Sequence, residues 1–406
     1  DAYQLELEHL LLSDTLFWFL VVVAAALVIC RPDSWPAMAG AGLALGAASL
    51  TRSVGLPLLV IFAVYLLVRR RWRVAAILTG ACLAPMAAYA VWFHATWDTY
   101  AMTNSDGIFL YGRTAAFADC RVIQPPANER DLCPSGPPAS RRPSPDYIWH
   151  VKPLGPMANY RKFTPATNAR AGDFARRAIL AQPGAYLATG LSDFGKTFAP
   201  ARVTYPNRHD VELYEFPVTI PPQKKLSAHP LPWRTLGSAI ATYTGDPHSD
   251  GAARMNAGAA AFIRGYQRVA YLPGPVLALI LVGGGAAMLV RRRGSFGRLY
   301  WKTGNGGVSF GRLSGASWHS QGAKRKAPLG EAPLPLKGLS RFGDAGSEAR
   351  PAGPGAALAW VSAVTLLVVP PFTAVFDHRY VIPAVPLACL ALGLAIARRR
   401  SGPLPE

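Results

Sequence analysis

Between residues 10 and 30 the chain runs 21 residues with one charged side chain, Asp14. No other feature limits the fold so strongly. The hydrocarbon core of a bilayer is about 30 Å thick, and a helix rises about 1.5 Å per residue, so roughly 20 apolar residues span it. Lipid offers no hydrogen-bond partner, so such a stretch must satisfy its own backbone as helix. Six further apolar stretches follow, at 37–50, 55–68, 74–93, 273–290, 356–369 and 381–397. The expectation is an all-α polytopic membrane bundle of about seven spans. Composition agrees: 51% of the 406 residues are hydrophobic and only 16% charged, where soluble proteins carry about 25% charged residues. That excludes an unstructured chain.

The formal net charge of +19 would suggest nucleic acid in a soluble protein. Here the arginines sit at span ends. Arg31 follows the first stretch, Arg69, Arg70, Arg71 and Arg73 the third, Arg291, Arg292 and Arg293 the fifth, and Arg398, Arg399 and Arg400 the last. Seven alternating spans place all of them on one side, which marks that side as cytoplasmic. A single helix over 37–68 would put the Arg69–Arg73 group outside, so a hairpin with its tip at Thr51-Arg52-Ser53 is expected. The partner is a lipid bilayer, read as the plasma (inner) membrane, with no nucleic acid.

The domain organisation follows. Residues 1–93 form a four-span bundle, 94–272 an inserted α-rich extracytoplasmic domain, 273–290 a span, 356–397 a hairpin of two spans and 398–406 a cytoplasmic tail. The loop at 291–355 lies inside, with 12 basic and 3 acidic residues and much Gly, Ser and Pro. It reads as unstructured chain attracted to anionic headgroups. Within 94–272 a helical pattern covers 173–189. It opens with Asp173 as a cap, sets Phe174, Ala178 and Ile179 on one face, and breaks at Gln182-Pro183. Trp97, Tyr100, Phe109 and Tyr111 either stack on sugar rings or form a domain core.

Cys30, Cys82 and Cys389 fall in or beside apolar stretches and read as small packing residues. Cys120 and Cys133 lie in the outer segment, and a disulfide between them is expected. No metal-ligand spacing is visible. The chain opens at Asp1 without a basic leader, which reads as a continuation of upstream spans.

Ionisable groups at a membrane surface mark functional positions by default. Three outer-side groups stand out: Glu6, Glu8, His9 and Asp14 at the mouth of the first span; Arg52 on its short turn; and Asp377, His378, Arg379 and Tyr380 before the last span. Each also has a structural reading. Acidic residues favour a helix N-terminus, which accounts well for Glu6 and Glu8 and less well for Asp14, about six residues and roughly 9 Å deeper than Glu8. Arg52 can be an interfacial arginine, and Asp377 with Arg379 a structural ion pair. If bundling gathers the three groups, a carboxylate can take a hydroxyl proton and arginines can hold a departing phosphate.

Three stretches carry a resemblance: Leu7-Glu8-His9-Leu10-Leu11-Leu12-Ser13-Asp14 ahead of the first span, Gly46-Ala47-Ala48-Ser49-Leu50-Thr51-Arg52 at the hairpin tip, and Asp377-His378-Arg379-Tyr380-Val381-Ile382-Pro383-Ala384-Val385-Pro386 at the last span. In their order and membrane side, the chain resembles the polyprenyl-phosphate-dependent membrane glycosyltransferases of the GT-C class. That superfamily includes the aminoarabinose transferases and protein O-mannosyltransferases. Phe109-Leu110-Tyr111-Gly112-Arg113 and Phe117-Ala118-Asp119-Cys120 look like an actinobacterial branch. The resemblance implies inverting sugar transfer from a polyprenyl-phosphate-linked donor to an extracytoplasmic acceptor. It implies catalytic acidity at Glu8 and Asp14, and substrate contacts from His9, Arg52, Asp377, His378, Arg379 and Tyr380. The family's principal catalytic aspartate falls in an earlier loop, which this reading puts ahead of Asp1, so no residue here is the sole general base. Some members use a divalent metal; the metal is unassigned here. The alternatives are a lipid-linked sugar transporter or flippase, which would need ionisable groups at mid-span and paired broken helices, and a non-catalytic membrane binding protein.

Overall fold

The computed structural model describes residues 2–10, 12–155, 157, 159–217, 255–300 and 353–397. Among them every regular element is helical. In chain order the α-helices are α1 Tyr3–His9, α2 Asp14–Cys30, α3 Trp35–Thr51, α4 Gly55–Val68, α5 Trp72–Trp97, α6 Asp106–Ala115, α7 Cys120–Ile123, α8 Ser144–Trp149, α9 Asn159–Lys162, α10 Pro165–Ala181, α11 Pro183–Lys196, α12 Arg208–Glu212, α13 Ala257–Val269, α14 Gly274–Tyr300, α15 Gly353–Thr373, α16 His378–Val381 and α17 Ala384–Ile396.

Seven apolar stretches become fewer full-length crossings. Trp72–Trp97, Gly355–Thr373 and His378–Ile396 are long and apolar enough to span a membrane, and two bent pairs raise the total to five. The shortfall is one of length. Helix α3 has 17 residues and α4 has 14, about 26 Å and 21 Å against a core of about 30 Å. The first stretch differs most from the sequence expectation. It is not one helix over 10–30: α1 and α2 meet at a 111° bend, and α2 begins at Asp14. Ser and Asp favour helix starts over helix interiors, and Ser13-Asp14 breaks the run. Asp14 is therefore a first-turn residue and does not lie deeper than Glu8 along one axis.

In the bundle, α3 packs mainly on α2 and α5, and α15 on α17. Gly42 and Gly46, spaced i and i+4, let α3 approach α5 closely. A Cβ at Gly42 would stand 2.3 Å from the Leu78 carbonyl oxygen. The shared core includes Phe17, Val21, Leu45, Phe62, Leu78, Leu366 and Leu387. Apolar side chains also face outward, as Phe19, Val60, Leu279 and Val282 do, which is the arrangement lipid favours and water does not.

A second apolar cluster gathers Ile108, Tyr111, Phe117, Leu132, Ile148, Phe174 and Ala178. The helix expected to open at Asp173 opens eight residues earlier. Thr164 caps it by accepting from the Thr167 N–H, with Pro165 in the first turn, a combination that starts a helix more strongly than a lone Asp. The break at Gln182-Pro183 stands where expected, between α10 and α11. Helix α11 docks on the bundle: the Tyr186 hydroxyl donates to the Phe372 carbonyl at 3.0 Å. Helix α14 runs on through Arg291, Arg292 and Arg293 to Tyr300, so the apolar stretch ends at 290 but the helix continues for ten residues into the segment expected to be unstructured. The remainder of the basic loop, 301–352, and the tail from 398 lie outside the described residues.

Candidate functional site

The end of α3 and the start of α2 lie side by side. The Ser13 hydroxyl donates to the Thr51 carbonyl at 3.3 Å, which serves one of the carbonyls that a helix C-terminus leaves without a partner. That contact brings Arg52, the residue just after α3, to Asp14, the residue opening α2. Arg52 Nη1 stands 2.8 Å from Asp14 Oδ1, and the Asp14 side chain is only 2% exposed. Neither carboxylate oxygen of Asp14 has a hydrogen bond of good geometry. A buried carboxylate with unused lone pairs is uncommon in folded proteins and calls for an account.

The third group arrives from the far end of the chain. Asp377 caps α16, its Oδ1 accepting from the Arg379 N–H at 3.0 Å, and its Oδ2 lies 3.1 Å from Arg379 Nε. Arg379 also donates through Nη2 to the Tyr380 hydroxyl at 3.1 Å. The Tyr380 ring joins the two cations, with the Arg52 guanidinium 5.1 Å and the Arg379 guanidinium 5.0 Å from its centre. Asp14 in turn feels the charges of Arg52, Arg379 and Asp377. Two carboxylates and two guanidiniums thus meet around one aromatic ring, drawn from positions 14, 52, 377, 379 and 380.

Not every expected residue joins them. Glu8 is exposed and accepts from Gln4 Nε2 at 3.0 Å. The His9 ring bonds to the Leu5 carbonyl at 2.6 Å and packs edge-on against Phe216. Both are engaged with their own surroundings, which corrects their grouping with Asp14. Glu6 is the buried carboxylate of α1. Residues two apart lie about 200° apart on a helix, so Glu6 and Glu8 face opposite ways, and the sequence does not say which faces in. His378 turns from the cluster to the Val203 carbonyl, 3.2 Å away, between the Tyr3 and Phe376 rings.

Of the four aromatics, Tyr111 is core: its hydroxyl donates to the Leu132 carbonyl and its ring meets Phe174 edge-on. Phe109 packs on the same cluster. Tyr100 is exposed and stacks on His94, and Trp97 is exposed. They do not form one sugar-binding platform. Cys120 and Cys133 are disulfide-bonded, with Cα atoms 6.0 Å apart. Among the described residues no three or more His, Cys, Asp or Glu side chains gather to hold a metal.

Tyr214 completes the cluster, and sequence reasoning missed it. Its hydroxyl donates to Asp377 Oδ2 at 3.2 Å, and Arg379 lies 5.9 Å from its ring. Burial first, and then the Asp377 charge, pushes its phenol upward, so it remains a hydrogen-bond donor at neutral pH. It sits in an ordinary polar stretch, 163 residues from its partner, and no local pattern marks it. A second buried pair was also missed: Arg113 Nη1 donates to Asp193 Oδ2 at 2.6 Å, and Lys196 holds the other oxygen. No known protein family, curated protein or solved structure matches the chain.

Proposed function

We propose that the chain is a membrane glycosyltransferase that moves a sugar from a polyprenyl-phosphate donor to an acceptor on the outer side of the plasma membrane. In this reading the bundle carries seven spans, with α3 and α4 as short ones. Residues 94–272 form the outer domain and the basic 291–355 loop faces the cytoplasm. The reading rests on one observation: Asp14 pairs with Arg52, and Arg52 and Arg379, remote in sequence, flank the one Tyr380 ring.

The chemistry assigns each group a task. The acceptor oxygen attacks the anomeric carbon as the bond from that carbon to the phosphate oxygen breaks. The lipid phosphate leaves with the electron pair and a growing negative charge. Arg52 and Arg379 are guanidiniums suited to that charge by charge-assisted, forked hydrogen bonds. Asp14 has lone pairs free to take the acceptor's proton. Tyr214 and Asp377 hold Arg379 in position, acting through it. A transporter would need charge at mid-span, whereas these groups sit where helices begin and end.

The test is transfer of radiolabelled sugar from polyprenyl-phosphate donors by membranes carrying the gene product. Arg379→Gln and Asp14→Asn should each lower transfer by about 10²-fold at equal protein level. Transfer by either variant at the parent rate ends the assignment of this cluster as the active site.

A further inference from the structure

A separate cleft of about 390 Å³ opens near α1, α12 and α13. Its charged lining is Arg202, Arg208, Arg264 and Arg268 against Glu212 and Glu215. Both glutamates are already engaged. Arg208 Nε lies 2.7 Å from Glu212 Oε1, and Arg264 pairs with Glu215. The Arg202 guanidinium stands 3.1 Å from the centre of the Tyr3 ring and 4.7 Å from that of Tyr271. Arg268 has no carboxylate within ion-pair distance among the described residues. Among the described residues, four cations face two anions across the cleft, a balance suited to an anion. Tyr214 donates to Asp377 on one side, while its neighbour Glu215 lines the cleft. The segment Glu212–Glu215 therefore stands between the two places.

Helix α13 says what kind of anion. Its exposed face carries Phe262, Tyr266 and Val269, which are 74%, 47% and 77% exposed. At about 100° per residue these three share one stripe; Arg264 lies opposite it, with Gln267 and Arg268 about 130° from the stripe on either side, and all three line the cleft. The helix runs into α14 through a short break with a 58° bend. Such a pair is either one broken crossing or a surface helix leading into a span; with an apolar stripe on one side and cations on the other, α13 is read as resting at the membrane surface with that stripe in the lipid. The opposite face then forms a cationic wall at headgroup level.

We propose that this cleft holds the phosphate of an anionic membrane lipid, at a site distinct from the Asp14–Arg52–Arg379 cluster. Arg268 and Arg202 meet the phosphate oxygens, and the acyl chains run beside α13 into the bilayer. The full chain, purified in an uncharged detergent, is titrated with dihexanoyl phosphatidylglycerol, dihexanoyl phosphatidylcholine and inorganic phosphate. The expected result is binding of phosphatidylglycerol about tenfold tighter than phosphatidylcholine, lost by about tenfold or more in Arg268→Glu. Arg268 is exposed, so this variant leaves the packing intact, and thermal unfolding of both proteins checks it. Arg379→Gln should bind phosphatidylglycerol unchanged, which separates this site from the transfer site. Equal affinity for the two lipids, or an unaltered Arg268→Glu, overturns the proposal. Inorganic phosphate competing at the same concentration as the lipid also overturns it, by making the ligand a free anion.

Discussion

Replacement of Arg52 by alanine should destabilise the protein mainly through what it does to Asp14. The two charges lie 2.8 Å apart. At an effective dielectric constant of about 20 that separation is worth roughly 6 kcal/mol of attraction. Desolvation offsets much of it, because the Asp14 side chain is 2% exposed and that of Arg52 is 16%. Taking away one partner of a buried pair costs about 3–5 kcal/mol. Arg379 also acts on Asp14, so the lower end, about 3 kcal/mol, is expected for Arg52→Ala. Asp14→Asn removes the stranded charge, and the double variant should recover about 2 kcal/mol relative to the sum of the singles. The assay is equilibrium unfolding of the full chain in micelles, followed by tryptophan fluorescence, as a double-mutant cycle. A coupling below about 0.5 kcal/mol, the value of an ordinary surface pair, would refute the claim that this contact ties α2 to α3.

Two further outcomes follow from the packing. Lys162 donates through Nζ to the Ile148 carbonyl at 2.8 Å and stands over Trp149, and burial lowers its ammonium from the ordinary 10.5. The unfolded chain then binds more protons than the folded one in the window just below that value, so Lys162 makes stability rise with pH there. The unfolding midpoint of the parent should climb relative to Lys162→Met as the pH rises toward 10.5, and parallel curves would contradict it. On α3, Gly42→Leu should cost about 3 kcal/mol or more by driving a side chain into the Leu78 carbonyl. Gly80→Ala on α5, with nothing within 4 Å of its added Cβ, should be neutral or stabilise by up to about 1 kcal/mol; the same unfolding assay reads both.

Much of the helical layout was legible locally. Helix α4 occupies the stretch at 55–68, and α3 and α5 extend theirs by only a few residues. Gln182-Pro183 separates α10 from α11. These features depend on transfer of apolar side chains and on backbone bonds three or four residues long, so neighbouring residues decide them. The start of α10 was misplaced because Thr164 and Pro165 form a stronger opening than Asp173, and the first stretch because Ser13-Asp14 interrupts it.

By itself, then, the sequence determined where most of the described helices run, and that Arg52 and Arg379 lie near helix ends; that Asp14 opens a helix rather than lying inside one came from the structure. Only the tertiary structure decided that these three share one place, that Tyr214 joins them, and that Glu6 rather than Glu8 turns inward. Helix ends are fixed by bonds between near neighbours. Which ends meet is fixed by side chains packing between helices, such as α3 seated on α5 through Gly42, and that packing sums contacts over hundreds of residues of separation.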